Sequence, residues 1–287
     1  MVRKFAAVQV IVLASVIVAS AEPAVKPIGP ALYAYISDND SSSNSTFLVG
    51  NDGILVVDTG LNATEGAKLL ARIRQISSLP VKYIVNTHYH PDHQGGNRTV
   101  GPSAVVLSTG FTRERTLALM NTPAVAGFQF QPAALTFREQ VTLHLDPYSV
   151  EIYFPGKAHT SGDALVYFPA QHAISMGDLF LNRSCPAMDD GSVENWIQAL
   201  DHVLAQPVEH IVPGHFDLGT RADLERFRNY LSDLFQQVRT LTQEGIPPEQ
   251  LGGKIHMEKY SDFRQYTKFE ATFTDNAATI YHQLKAQ

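Results

Sequence analysis

The sequence predicts an α/β or α+β protein in which β-sheets are covered by helices. Short apolar runs of strand length recur along the chain, and amphipathic patterns of helical length separate them. The chain has 287 residues, of which 44% are hydrophobic and 17% are charged. This composition excludes collagen-like, low-complexity and wholly disordered chains. The length allows one large domain or two ordinary ones.

The first half of the chain is predicted to contain strands around a helix. Residues 22–30 are rich in proline and indicate an extended lead-in. A Gly-Asn-Asp-Gly segment at residues 50–53 joins two apolar runs, which is typical of a β-hairpin. Asn62 is suited to cap a helix that runs to about Ser77. The other predicted elements are strands at residues 32–36, 46–49, 54–57, 81–85 and 104–107 and a helix at residues 111–120.

The second half is predicted to add a further group of strands and three helices. Apolar residues recur every three or four positions from Leu224 to Leu241, which predicts a long amphipathic helix. Residues 246–287 are rich in aromatic side chains and are predicted to form a helical extension that packs on the preceding domain, residues 22–245. The predicted elements are strands at residues 141–145, 150–154, 165–168, 173–175 and 210–212 and helices at residues 195–204, 224–243 and 277–284.

The N-terminus differs from the rest of the chain. Arg3 and Lys4 precede an uncharged apolar stretch, and Ala-Ser-Ala follows it at residues 19–21. These features predict a secretory signal peptide over residues 1–21. The alternative is an uncleaved membrane anchor, although the stretch is short for a span of about 20 residues. We therefore expect a periplasmic or secreted protein, with no stable membrane span once the signal peptide is removed.

Charge and cysteine content exclude several other classes. The net charge is −6 and basic residues form no run, so the sequence gives no electrostatic support for nucleic-acid binding. Cys185 is the single cysteine, which excludes an internal disulfide framework and a cysteine-rich zinc cluster. In an exported protein this cysteine is expected to be buried, reactive or free to pair with another chain. Nothing in the sequence sets an oligomeric state.

The strongest chemical signal is the segment Thr-His-Tyr-His-Pro-Asp-His at residues 87–93. Alternate residues of an extended chain face the same side, so His88 and His90 can point together. A turn at Pro91 would bring Asp92 and His93 to a neighbouring position. Imidazole and carboxylate groups are the usual ligands of zinc and related ions. The segment therefore predicts a metal site just after a strand.

Three later residues have the same character. His159 lies in Ala-His-Thr-Ser-Gly-Asp, Asp178 in Met-Gly-Asp and His215 in Pro-Gly-His. Each follows a strand candidate and has a glycine nearby. Singly they would be ordinary loop residues, but their order along the chain makes them candidate metal ligands.

The ordered set HxHxDH, AHTSGD, GD and PGH resembles the metallo-β-lactamase superfamily of metallo-hydrolases, over roughly residues 32–215. The resemblance implies a four-layer αβ/βα sandwich with two mixed β-sheets and a metal site along one edge. The implied ligands of one metal ion are His88, His90 and His159. Those of a second ion are Asp92, His93 and His215, with Asp178 bridging both ions.

A site of this kind implies a metal-dependent hydrolase that holds two Zn²⁺ ions, and Fe or Mn suits similar ligand sets. Such ions lower the pKa of bound water to near 7. We expect an exported enzyme whose metal-bridging hydroxide attacks the carbonyl of a small-molecule ester, thioester, lactone or amide. Asp92 is also the candidate catalytic residue, because it is suited to orient the nucleophile or receive its proton.

Asp178 bears on the choice of substrate. The best-known zinc β-lactamases carry a cysteine at the corresponding position, whereas an aspartate is similar to glyoxalase II and lactonases. A β-lactamase acting on β-lactam antibiotics is an alternative. Others are an oxygenase with a single iron ion that acts on persulfides and a non-catalytic metal-binding protein. A phosphodiesterase is disfavoured because the chain has no basic run to attract its substrate.

Further residues are expected around this site. Asp58, in Val-Asp-Thr-Gly, resembles an acid that supports the metal-binding loop through a ligand histidine. Asn182 and Arg183 lie in the loop after Asp178 and are candidates to meet a substrate carboxylate or carbonyl, although a loop that satisfies its own backbone is favoured. Cys185 is expected to be a buried or site-rim thiol, because its spacing does not match that of a ligand.

Overall fold

The computed structural model describes residues 23–122, 128, 130–188, 190–263 and 269–286. The predicted signal peptide and part of the predicted loop after residue 122 lie outside these residues. In the described part of the chain, no helix combines the length and the apolar character that crossing a bilayer requires.

The first β-sheet has seven strands in chain order. Its strands are β1 (Ala24–Gly29), β2 (Leu32–Ile36), β3 (Ser45–Val49), β4 (Ile54–Val57), β5 (Val81–Val85), β6 (Val105–Thr109) and β7 (Leu135–Phe137). Pairing is antiparallel from β1 to β4 and parallel from β4 to β7, so the sheet is mixed. The predicted hairpin at residues 50–53 is confirmed, because β3 and β4 pair across it.

The second sheet has five strands and is also mixed. Its strands are β8 (Gln140–Leu145), β9 (Tyr148–Tyr153), β10 (Leu165–Phe168), β11 (Ala173–Ser175) and β12 (His210–Val212). They again follow one another in chain order. All neighbours are antiparallel except β11 and β12, which are parallel.

Helices connect and cover the strands. They are α1 (Ala63–Ile76), α2 (Pro91–Gln94), α3 (Asn97–Val100), α4 (Gly110–Leu119), α5 (Val193–Leu204), α6 (Arg221–Gln243) and α7 (Phe269–Lys285). The predicted cap of α1 is confirmed, since the Asn62 side chain accepts hydrogen bonds from the N–H groups of Thr64 and Glu65. Thr220 and Asp223 form a reciprocal capping box at the start of α6.

Three apolar clusters define four layers. Strand residues such as Leu55, Val85 and Val166 fill the space between the two sheets. On the outer face of the first sheet, Leu69 and Ile73 of α1 pack against the strands. On the outer face of the second sheet, a larger cluster joins α5, α6 and α7. The predicted sandwich of two mixed sheets between helices is therefore confirmed.

The sequence pattern did not predict two strands, the short helices α2 and α3, or the first part of the last helix. β1 contains Pro27, which is tolerated because this strand lies at the edge of its sheet. β7 is only three residues long and lies at the opposite edge. α7 begins at Phe269, earlier than the predicted residue 277. Tail residues including Tyr260, Phe263 and Ile280 lie in the same apolar cluster as α5 and α6.

Candidate metal centre

The candidate metal ligands lie at one edge of the sandwich because of strand direction. β4 and β5 are parallel, as are β11 and β12, and the carboxyl ends of parallel strands share an edge. His88 follows β5, whereas Asp178 and His215 follow β11 and β12. His159 lies in the connection from β9 to β10. The two sheets therefore each contribute side chains to one edge.

All seven predicted ligand residues come together in two groups. The first donor group consists of His88, His90, His159 and Asp178. The second donor group consists of Asp92, His93 and His215. Within each group, one nitrogen or oxygen atom of every side chain lies within 4.8 Å of the others. This division is the one that the family resemblance implied.

Three imidazoles converge in the first donor group. His90 Nδ1 lies 2.9 Å from His88 Nε2 and 3.2 Å from His159 Nε2. The carboxylate of Asp178 faces the same point, with Oδ2 3.7 Å from His159 Nε2. His90 is half-buried whereas the other three side chains are buried, so His90 lies on the open side of this group.

The second donor group lies against the other oxygen of Asp178. Asp178 Oδ1 is 3.2 Å from His93 Nε2 and 3.5 Å from His215 Nε2. Asp92 Oδ2 lies 3.1 Å from His215 Nε2 and 3.5 Å from His93 Nε2. Asp178 therefore lies between the two groups with one oxygen toward each. Asp92, whose side chain is 23% exposed, marks the solvent side.

Gly214 gives Asp178 the room it occupies. A Cβ atom at residue 214 would lie 2.0 Å from Asp178 Oδ1, so only glycine permits this carboxylate position. The N–H of Gly214 donates to the carbonyl of Gly177, which holds the turns after β11 and β12 together. Gly177 itself has a φ of +51°, a conformation that suits glycine.

Burial and neighbouring charges set the protonation of this cluster. Burial lowers the pKa of His88 well below its usual value, and the neighbouring imidazoles lower it further. Burial also opposes protonation of His93, but three surrounding carboxylates raise its pKa well above the usual value. For Asp178, burial opposes ionisation, yet the adjacent imidazoles hold its pKa well below the usual value. Asp178 is therefore ionised and His88 is neutral, as metal ligands must be, whereas His93 has to release a proton before its Nε2 can bind a cation.

The donor set fits divalent cations. The nitrogen and oxygen atoms quoted above are mostly 2.9–3.5 Å apart. Ligands of a tetrahedral zinc ion, each about 2.0–2.1 Å from the metal, lie roughly 3.3 Å apart. His93 Nε2 and Asp178 Oδ1 are buried and make no hydrogen bond within the described part of the chain. A cation next to each would compensate the cost of burying these polar atoms.

Asp58 supports the second donor group, although its role was predicted only from the family resemblance. Its Oδ2 lies 2.7 Å from His93 Nδ1, and its carboxylate accepts hydrogen bonds from the N–H and the hydroxyl of Thr87. Asp58 is buried, with a φ of +55°, so these hydrogen bonds hold it in a conformation that non-glycine residues rarely adopt. The contact directs His93 Nε2 toward Asp92 and Asp178.

His159 has a different set of supports. The carbonyl of Ala187 lies 3.1 Å from His159 Nδ1 and is an acceptor for its proton. The ring of Trp196 meets His159 edge-on, with ring centroids 5.4 Å apart. The indole N–H of Trp196 donates to the carbonyl of Leu179, the residue after Asp178. Neither Ala187 nor Trp196 was predicted to act here, because a backbone acceptor and a buried aromatic residue leave no distinct pattern in a sequence.

The polar side chains of the loop after Asp178 contact other loops and a helix end of the same chain. Asn182 Nδ2 donates to the carbonyls of Asp217 and Leu218, near His215. Arg183 is 61% exposed and lies 3.5 Å from a carboxylate oxygen of Asp223. Their predicted contacts with substrate stay a prediction. Cys185 is fully buried, and burial raises the pKa of its thiol to about 11, so it is an inert thiol under ordinary conditions.

The chain belongs to the metallo-beta-lactamase superfamily, whose sequence profile matches residues 38–215. The residues at the strand ends described above fall within that segment. This membership, together with the His/Asp cluster, supports a metal-dependent hydrolase in the broad sense. A sequence relative is the metallo-beta-lactamase type 2 of Bacillus cereus, 26% identical over 193 residues that cover 65% of this chain and 72% of that protein.

Solved structures share the fold. The metallo-beta-lactamase from Pontibacter korlensis superimposes with a TM-score of 0.63 at 24% identity, covering 73% of this chain and 99% of that one. The stereoselective inverting sec-alkylsulfatase Pisa1 from Pseudomonas sp. superimposes with a TM-score of 0.73 at 16% identity, covering 91% of this chain. The chain spans half of the sulfatase's length, and a double mutant of PisA1 gives a TM-score of 0.75 at 15% identity.

Proposed function

We propose that this protein is an exported hydrolase that uses two divalent cations, normally Zn²⁺, to cleave a carbonyl bond of a small molecule. The observation that carries the proposal is the position of Asp178, with one carboxylate oxygen toward each donor group. A carboxylate placed in this way is suited to hold two cations side by side. Export is proposed from the N-terminal sequence alone.

Each donor group would hold one cation. The ligands of the first would be His88, His90 and His159, and those of the second Asp92, His93 and His215, with Asp178 shared. When bound, the two cations supply Lewis acidity, which makes water more acidic and polarises a substrate carbonyl. His88 is suited to bind a cation without losing a proton, because burial and its imidazole neighbours keep it neutral.

Asp92 is proposed to combine a ligand role with proton handling. Its side chain is partly exposed, and it lies at the solvent side of the second donor group. Burial raises the pKa of this carboxyl, but His93 and His215 outweigh that effect and lower it below the usual value. The carboxylate is therefore ionised and can accept a hydrogen bond from a water molecule that approaches the substrate.

Substrates with an ester, thioester, lactone or amide carbonyl suit this arrangement best. The chain has an aspartate rather than a cysteine at the shared ligand position, which favours a broad carbonyl hydrolase. Hydrolysis of β-lactam amides is the second candidate, and the Bacillus cereus relative favours it. Phosphodiesters suit the chain less well, because its net charge is −6 and its basic residues form no run.

A panel assay tests the proposal. Purified protein should contain two cations per chain by elemental analysis and should hydrolyse at least one substrate among lactones, thioesters, aryl esters and the β-lactam nitrocefin. His88→Ala should abolish that activity, whereas Asp275→Ala, an exposed substitution on α7, should preserve it. A single iron ion per chain would favour the oxygenase alternative. Bound cations without any turnover would favour a metal-binding protein, and turnover of a secondary alkyl sulfate alone would overturn the carbonyl assignment.

A further inference from the structure

The last helix of the chain contacts the loop that carries the acceptor for His159. α7 lies beyond residues 38–215, the segment that matches the superfamily profile. Its residues Ala277 and Ile280 are fully buried in the apolar cluster that also contains Trp196. The helix is therefore an integral part of the layer that lies behind His159.

Asn276 is the first polar contact between α7 and that loop. Its side chain is buried, and Nδ2 donates to the carbonyl of Pro186 at 2.9 Å. The next residue is Ala187, whose carbonyl lies 3.1 Å from His159 Nδ1. One peptide unit thus separates the carbonyl that Asn276 holds from the carbonyl that orients His159.

Gln283 makes a second contact two turns further along α7. Its Oε1 accepts from the N–H of Val193 at 3.2 Å, and its Nε2 donates to the carbonyl of Gly191 at 3.3 Å. Gly191 is packed directly against the His159 segment, since a Cβ atom there would lie 1.7 Å from the carbonyl oxygen of Ala158. Asn276 and Gln283 therefore hold both ends of the loop that lies against His159.

The second donor group has supports of its own. Asp58 orients His93, and the Asn44 side chain donates to the carbonyls of Pro213 and Phe216 on either side of His215. The N–H of Ser43 donates to the carbonyl of Asp92. Among the described residues, none of these contacts involves α7.

We propose that α7, through Asn276 and Gln283, positions His159 and thereby sets the cation affinity of the first donor group without changing that of the second. The physical reason is that an acceptor on Nδ1–H fixes both the tautomer and the direction of a ligand imidazole. If the loop shifts, Ala187 no longer holds His159 Nε2 toward His90. The inference rests on the proposed function, because it assumes that both donor groups bind cations.

The test measures each donor group by itself. His215→Ala leaves the first group intact, and His159→Ala leaves the second. In each background, Asn276→Leu and Gln283→Met remove the polar contacts of α7 while nearly preserving side-chain volume. Zn²⁺ affinity is measured by competition with a chromophoric chelator, and the Co²⁺ absorption spectrum reports the coordination of the remaining ion. Two variants on α7 serve as controls: Asp275→Ala changes an exposed neighbour, and Ile280→Val loosens the apolar packing of the helix while leaving the hydrogen bonds of Asn276 and Gln283 in place.

We expect both test variants to weaken Zn²⁺ binding by about 10–100-fold in the His215→Ala background and to change the Co²⁺ spectrum. In the His159→Ala background their affinity should stay within about twofold of the parent, and both controls should match the parent in either background. The inference is overturned if folded Asn276→Leu and Gln283→Met bind Zn²⁺ at the first group as tightly as the parent. It is also overturned if both groups lose affinity equally, or if Ile280→Val loses as much Zn²⁺ affinity as the two test variants. If the two cations bind as expected but no carbonyl substrate is turned over, the proposed function fails while the inference stands. A chain that binds no cation overturns both.

Discussion

Asp58→Asn offers a sharp test of how the second donor group is built. The substitution preserves shape, so the oxygen that accepts from the N–H of Thr87 at 2.8 Å should stay in place. The amide NH₂ then replaces Oδ2, which lies 2.7 Å from both Thr87 Oγ1 and His93 Nδ1. An NH₂ group can only donate, so His93 Nδ1 must become an acceptor and its proton must move to Nε2.

The expected magnitude follows from that change of tautomer. A proton on His93 Nε2 occupies the position that faces Asp178 and Asp92, and a protonated nitrogen cannot bind a cation. Loss of an outer partner of this kind typically weakens metal binding by about 10–100-fold. That range corresponds to roughly 1.4–2.7 kcal/mol. The first donor group meets Asp58 only through Thr87, whose Oγ1 lies 3.1 Å from His88 Nδ1, so its affinity should fall less than that of the second group.

Chelator competition on the folded variant measures the effect. Wild-type protein should bind two cations tightly, whereas Asp58→Asn should bind one tightly and the other about 10–100-fold more weakly. Thermal unfolding of the cation-free protein serves as the control, because the variant should retain the fold. Two wild-type affinities in Asp58→Asn would refute the idea that Asp58 selects the tautomer of His93, and equal loss at both positions would mean that it supports the whole edge.

Three further substitutions test other parts of the centre. Gly214→Ala should displace Asp178, because the new Cβ would lie 2.0 Å from Oδ1. Elemental analysis should then find at least one cation fewer per chain. The control is Gly253→Ala, whose Cβ would enter open space, and this variant should bind as many cations as the wild type. Trp196→Phe removes the donor to the Leu179 carbonyl and should lower the free energy of unfolding in urea by about 1–3 kcal/mol, so a change within the noise of a surface substitution would contradict the contact. Burial raises the pKa of Asp163 from 3.8 to about 7, so the folded state retains a proton that the unfolded chain has lost. Stability of cation-free protein should therefore fall as the pH rises from about 4 to 7, by roughly 4 kcal/mol from this residue alone, and Asp163→Asn should remove that part of the slope; the same slope in both proteins would assign it to other groups.

Much of the fold could be predicted because its local signals agree with one another. The turn at residues 50–53, the cap at Asn62 and the apolar periodicity of α6 each have a short-range physical cause, and the structure has the elements that they predict. β1 and β7 escaped prediction because edge strands need few apolar residues, and pairing with a neighbour decides their conformation.

The candidate site was predictable for a different reason. Histidine and aspartate at the ends of strands form a pattern that few structural needs produce, and the structure brings all seven side chains together. The residues that hold these ligands in place show no comparable sequence pattern. Thr87 contacts Asp58 through an ordinary hydroxyl, and Asn44 acts on the His215 turn from a distant loop. Only the packing of the whole chain determines which amide, hydroxyl or carbonyl meets a ligand.

The chain order of the strands has a consequence for assembly. In both sheets every strand pairs with its neighbour in sequence, so each sheet forms from one continuous stretch of the chain, residues 24–137 for the first and residues 140–212 for the second. Each donor group, in contrast, takes side chains from both sheets, since His88 and His93 follow β5 whereas Asp178 and His215 follow β11 and β12. An ion at either position would link the two sheets, which are otherwise joined by apolar packing. Such an ion could bind only after the two sheets have packed together. Removal of bound cations with a chelator would then lower the melting temperature of the protein, because an ion that binds only the native state stabilises that state.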